Sequence, residues 1–343
     1  MQGKTIVIDP AKGPVVLEAT TKLLGSDVVV ERELNILGED RDVTVSGNKE
    51  SNMFVIDSGA IVSISDLTLT EGYAKAGGAL VNNGELNLTN VDFTDNEAYW
   101  IKSTQSEYLT EGLGGAIANF ATLTVDGGTF SGNEATDFGG AIFADTTGDT
   151  IVKNATFQGN TAFAGGAIVA QNGTLTVENS NFASNSAERA GAVYTLVPAT
   201  FVASVFTGNK AEAADYTSRN VVGGAIYAGP NAPLTFKADA ESESTLAATF
   251  TGNSAEAGGA VYSDAGISVE GDLVATGNKA VASEYVDEVK GDYGAIYANG
   301  DLSVTGDVKF DNNTAEGSYG AFYAKNVDVD GALTATGNTA TAG

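Results

Sequence analysis

The chain has 343 residues, 43 of them glycine, with no cysteine or histidine and a formal net charge of −27. That acidity argues against nucleic acid and anionic membranes as partners, because phosphate binding needs clustered Lys and Arg and the 17 basic residues are scattered. The lack of cysteine excludes a disulfide framework and thiol chemistry, and no apolar run reaches the roughly 18 residues of a membrane span.

Met1-Gln2-Gly3 does not open a signal peptide. Any targeting segment is therefore expected to have been removed or to lie outside this chain. Residues 1–70 read as an irregular opening of about three coils and a possible N-terminal cap. Segments 5–8, 15–18, 28–30, 34–37, 43–45, 53–56 and 61–64 alternate or run apolar between turn signals such as Pro10 and Ser46-Gly47-Asn48. A cap would cover an otherwise unpaired sheet edge.

From Gly77 two motifs alternate. A Gly-Gly-Ala step or a variant begins at Gly77, Gly114, Gly139, Gly165, Ala190, Gly223, Gly258, Tyr293 and Tyr319. Between these steps an Asn recurs at Asn96, Asn133, Asn160, Asn185, Asn209, Asn253, Asn278, Asn313 and Asn338. Phe precedes it by three residues at Phe93, Phe130, Phe157, Phe182, Phe206, Phe250 and Phe310, but is missing before Asn278 and Asn338. The clearest copies fill residues 121–194, where the Asn spacing is 27 and then 25 residues. A period of that size implies stacked units, since one unit cannot bury its own apolar face. Within each unit the apolar residues alternate, as in Leu123/Val125 and Leu175/Val177, which is a strand period. Glycine, Asn and Asp are too frequent for helices.

These features predict an all-β chain: a single right-handed parallel β-helix of about 13 coils over 1–343, handedness following the rule for parallel crossovers. Regular coils fill 71–343. The chain stops where another glycine step is due, so further coils are expected in the natural protein. Stacking should place equivalent side chains in ladders about 4.8 Å apart. The Phe ladder would fill the interior. The Asn ladder would turn a corner in the left-handed region and bond to the coils above and below. The Gly pair would bend the chain where a Cβ would clash. A phosphate-binding glycine loop needs a following helix and a Lys or Ser/Thr at set spacing, and both are missing.

The four-residue Gly-Gly-Ala-Ile blocks at 114–117, 139–142, 165–168 and 223–226, alternating with Phe-x-x-Asn, resemble the repeats of chlamydial-type polymorphic outer-membrane proteins. The resemblance covers residues 72–343, and the stretches 53–60 and 65–69 are similar to opening coils of the same wider group. It implies an exported passenger displayed on the cell surface, autotransporter-like and often adhesive. Any membrane attachment would then run through an anchor outside this chain.

Loop lengths point to an interaction edge. Most coils place two or three residues between Asn-x-Ala and the glycine step, but three insert long segments at 99–113, 212–222 and 281–292. Occupying one corner, these loops should project from one face, about four and then two coils apart, or roughly 19 and 10 Å at strand spacing. They carry Tyr99, Trp100, Tyr108, Tyr216, Arg219 and Tyr285 as candidate contact residues, since loops on a rigid scaffold carry recognition and aromatics enrich interfaces. The competing expectation is that these aromatics fold back over a coil edge. A further acidic insertion, 237–245, belongs to another corner.

Catalysis is the main rival. Parallel β-helices host polysaccharide lyases and glycoside hydrolases, and a carboxylate pair such as Asp126 with Asp145 is conceivable. With no His and arginines only at Arg32, Arg41, Arg189 and Arg219, no stretch concentrates the residues such sites use, so no enzyme is expected. The nonapeptide calcium-roll pattern is absent, although acidic loops could take calcium weakly. Thr-x-Thr pairs (Thr122/Thr124, Thr174/Thr176, Thr334/Thr336) do not recur in every coil, which disfavours a flat ice-binding face. No cofactor and no metal site is expected. The function expected is extracellular, cell-surface adhesion to a protein or glycan receptor, with a structural spacer or self-associating filament segment as the alternative.

Overall fold

The computed structural model describes residues 4–8, 15–16, 21–23, 33–38, 43–99, 112–214, 221–283, 285 and 291–341. Among them there is no helix. Strands stack into three sheets of 19, 12 and 10 strands, and neighbouring strands pair in parallel. The chain is a parallel β-helix. The second sheet, which takes one strand per turn, holds 12 strands among the described residues.

One coil shows how the sequence makes a turn. Gly139-Gly140 opens it, and strand Ile142–Lys153 runs along the first sheet. Asn154, at φ 52°, turns the chain into Thr156–Gln158 of the second sheet. Gly159, at φ 62°, turns it again toward Asn160 and Thr161–Ala164 of the third sheet. Gly165 then starts the next coil. Asn and Gly fill these corners because they adopt the left-handed region at low cost.

The Phe column is continuous through the middle of the rod. Phe93, Phe130, Phe157, Phe182 and Phe206 stack at 4.7 to 4.8 Å with rings within 10° of parallel, and Phe250 follows at 5.0 Å. All are fully buried. At the coil lacking Phe, Ala275 lies in register between Phe250 and Phe310. There Leu273 occupies the position held by Ala248 one coil earlier. The missing ring is thus replaced by a larger neighbour two residues along the same strand, keeping the core filled. The opening coils use the same logic with Leu67 and Leu69, both fully buried.

The Asn column is the polar counterpart. The backbone N–H and side-chain Nδ2 of Asn133 both donate to Oδ1 of Asn160, at 3.0 and 2.9 Å. Nδ2 also donates to the carbonyl of Phe93 in the coil before, at 3.0 Å. This pattern repeats from Asn96 to Asn313, whose amide bonds to Asn338. One expectation is corrected here. The left-handed residue at this corner is the one before the Asn: Asp95, Gly132, Gly159, Ser184, Gly208, Gly252, Gly277, Asn312 and Gly337 all have positive φ. The Asn follows the bend and points inward, because its amide must reach both neighbouring coils.

The two glycines of the step have different jobs. The first is left-handed, φ 68° at Gly139, and Ala190, Tyr293 and Tyr319 adopt the same conformation at this position. The second tolerates no side chain: a Cβ at Gly140 would lie 2.1 Å from the carbonyl oxygen of Gly166 in the next coil. Close approach of coils, rather than dihedral freedom, demands that glycine.

Candidate interaction surface

The described ends of the three long insertions share one corner. Strands Glu97–Ala98, Lys210–Ala211 and Lys279–Ala280 of the third sheet immediately precede them. In that sheet three strands separate the first from the second, and one separates the second from the third. On the far side Leu113 bridges Ala76 and Phe138, while Ala257 bridges Val222 and Asp292. Each insertion therefore leaves and rejoins the rod at equivalent positions of its coil.

Of the six candidate contact residues, Tyr99 and Tyr285 are described, and Trp100, Tyr108, Tyr216 and Arg219 lie outside the described residues. Tyr99 does not project. Its ring stacks on Tyr73 of the preceding coil at 4.1 Å and 14°, because the insertion leaves along the third-sheet column that Tyr73 shares with Glu97. Tyr285 is 48% exposed and walls a cavity of about 190 Å³ with Val281, Ala282, Glu212 and Glu256. Ala211 and Ala255 of its lining belong to a small buried apolar cluster with Val221. Partial burial there raises the Glu256 carboxyl above its ordinary range.

Below this edge, two carboxylates meet on the third sheet. Glu97 stands in register with Glu134. Burial first, and the Glu134 charge second, raise the Glu97 carboxyl. The conceivable Asp126/Asp145 pair takes a different form: Asp126 accepts from Asn154 at 2.7 Å, and Asp145 from Asn172 at 2.5 Å. These are ladder contacts between coils at separate positions. The insertion 237–245 falls between strands of the first and second sheets, at another corner, and residues 240–245 are exposed.

A second surface was not anticipated from the sequence. On the outer face of the first sheet, Tyr194, Tyr227, Tyr262, Tyr297 and Tyr323 stand in direct register on successive coils. Their rings stack at 4.9, 6.0, 4.4 and 5.5 Å. Tyr293 and Tyr319 add a second short column, 5.3 Å apart, with Tyr293 only 4.5 Å from Tyr297. Asp264 accepts a 2.8 Å hydrogen bond from the Tyr227 hydroxyl. A groove of about 170 Å³ runs between Arg189, Val222 and Asp264 with Tyr194, Tyr227 and Tyr262 in its lining. Burial and the nearby Asp264 carboxylate push the Tyr227 and Tyr262 hydroxyls well above the usual phenol range. The signal was present: Tyr follows the glycine step at a fixed offset in Gly-Ala-Val-Tyr, Gly-Ala-Ile-Tyr and Gly-Ala-Phe-Tyr. The offset lies inside the repeat, and only the register of successive coils brings the rings into one surface.

Among the described residues no group of three or more His, Cys, Asp or Glu could hold a metal ion. The Chlamydia polymorphic membrane protein repeat model matches residues 127–145, 203–229 and 247–264. The first and third of these segments each span a Phe-x-x-Asn corner and the glycine step after it, and the second does so across the insertion 212–222. Over these three segments the chain carries repeats of the polymorphic membrane protein type. Polymorphic membrane protein repeats belong to a family of surface membrane proteins, not to an enzyme family. Comparison with curated proteins and with solved structures returns no match. In structural terms the polymorphic membrane protein motif is the residue set that one coil needs: a buried ring, a bridging amide and a glycine pressed against the next turn.

Proposed function

We propose that this chain is the rod of a surface-displayed, adhesin-like protein that engages a protein or glycan receptor through loops on one corner, without chemistry of its own. The observation carrying this reading is that the insertions 99–113, 212–222 and 281–292 leave and rejoin the rod at equivalent positions, from coils locked together by the Asn column. Rigid scaffolds that gather long loops on one side are the usual architecture of recognition. The polymorphic membrane protein repeats support display outside the cell. Replacing each insertion with the three-residue connection found at Thr136–Phe138 tests it. Attachment of chain-coated beads to epithelial monolayers should fall while the β-sheet circular dichroism is retained.

The alternative is a spacer or filament segment, and the Tyr99 ring folded onto Tyr73 favours it for the first insertion. Unchanged bead attachment after all three replacements would leave the spacer reading in place. New unsaturated or reducing ends after incubation with pectin or alginate would overturn the non-enzymatic reading.

A further inference from the structure

The tyrosine stripe asks for an explanation that the coil itself does not supply. The same outward column holds Val55, Val81, Ala118 and Val169 in earlier coils, so a Tyr there is not required by the fold. Phe143, also in this column, is covered by Phe120 and Phe138, whereas the tyrosines remain half-exposed. Tyr293 and Tyr319 go further. They hold φ of 66° and 62°, where Gly139, Gly165 and Gly223 hold equivalent angles without a Cβ. A bulky residue in this region is a strained outlier, and here it places two more rings beside Tyr297 and Tyr323.

Two features define what the stripe could take. Rings stacked along the rod use their faces on one another, which leaves ring edges as the surface they offer. That arrangement denies a sugar ring the aromatic face on which it would stack. It suits long aliphatic stems with a charged tip, which pack their methylenes on ring edges. The electrostatic surroundings are negative. Asp264 acts on Tyr194, Tyr227, Tyr262 and Tyr297, and Asp292 acts on Tyr293. The whole chain carries 44 acidic against 17 basic residues. Arg189 faces the groove only at the Tyr194 end, with its guanidinium over the Phe163 ring.

We propose that the stripe from Tyr194 to Tyr323, bordered by Asp264 and Asp292, docks an extended Lys- and Arg-rich peptide segment of a partner protein. The stems lie along the ring edges and the cationic tips reach the two carboxylates, forming charge-assisted hydrogen bonds. The occupant lies along the rod axis because the rings do. The stripe lies on the first sheet and takes from the insertions only Val222 and Asp292, at the points where they rejoin the rod.

The full chain is titrated with a fluorescein-labelled peptide of alternating lysine and alanine, followed by anisotropy at low and high salt. Binding is expected, weakening as salt rises. The double variant Tyr262→Val/Tyr297→Val, which installs the residue this column carries at Val81 and Val169, should lower affinity by about tenfold or more. Asp264→Asn should weaken binding as well. Tyr293→Gly removes a ring while relieving the backbone, so it keeps the test valid if the double variant melts early. Equal affinity in the tyrosine variants, whose net charge is unchanged, would overturn the proposal by showing that diffuse acidity alone holds the peptide. Preferential, salt-insensitive binding of a neutral cello-oligosaccharide, lost in the same variants, would also overturn it in favour of a glycan. Replacement of the insertion 99–113, which contributes no residue to the stripe, should leave peptide binding intact, whatever it does to cell attachment.

Discussion

Two columns run along the regular coils of the rod and obey opposite rules. The inner column of Asn160 and its equivalents keeps one residue type on successive coils, each amide bonded to both neighbours. The outer column on the first sheet passes from Val81 through Phe143 to Tyr194 and onward as tyrosine. The difference is one of obligation. A buried amide or carbonyl without a partner costs free energy at every coil, so the interior has one solution. An outward position on a half-covered strand accepts several residues at similar cost. Uniformity therefore marks what the fold needs, and variation marks what can be given over to a surface.

The largest expected effect comes from breaking the inner column. Asn160→Leu removes the acceptor of Asn133 and the donor to the Phe130 carbonyl and to Asn185. Several buried groups lose partners at roughly 1–3 kcal/mol each, so a loss of about 4 kcal/mol is expected from urea unfolding. A loss under about 1 kcal/mol, the scale of an exposed hydrogen bond, would show that water replaces the amide and that the column is not obligatory.

Next comes the aromatic core. Phe157→Ala should cost about 3–4 kcal/mol, the usual scale for a buried ring. The coil at Ala275 shows how to recover part of it. Adding Ala155→Leu reproduces the Leu273/Ala275 arrangement, and the double variant should be more stable than Phe157→Ala alone. If it is less stable, filling is local to the last coils and the core is not interchangeable along the rod.

The outer column predicts near neutrality. In Tyr293→Gly, relief of left-handed strain and loss of ring stacking are each about 1 kcal/mol and opposite in sign. The unfolding midpoint should stay close to that of the parent chain. A large loss would mean that the tyrosines are structural after all.

The smallest effect is electrostatic. Burial and Glu134 raise the Glu97 carboxyl, so the folded chain holds that proton more tightly than the unfolded one. Its stabilising contribution is present below the unfolded pKa and is lost as pH rises through the folded one. Urea midpoints should therefore increase modestly on mild acidification from neutral pH. Glu97→Gln should flatten that slope, and an unchanged slope would assign the effect to other carboxylates such as Asp137 and Glu256, which are raised in the same direction.

The repeat spacing alone determines that the chain stacks, that the strands are parallel and which residues share a column. One residue type returning at a fixed interval has only one economical packing, each copy above the last. Even the missing Phe before Asn278 is visible in the sequence. What the three-dimensional structure alone decided is which way each residue faces at a corner and what covers the outer face. The left-handed residue proved to be the neighbour of Asn, because a side chain reaching two coils must follow the bend. The tyrosine stripe needed the register of separate coils to become a surface, and the stacked Tyr73 and Tyr99 needed the path of an insertion. Short-range pattern sets the coil; contacts between coils, which depend on distances that no single repeat encodes, set the surface it presents.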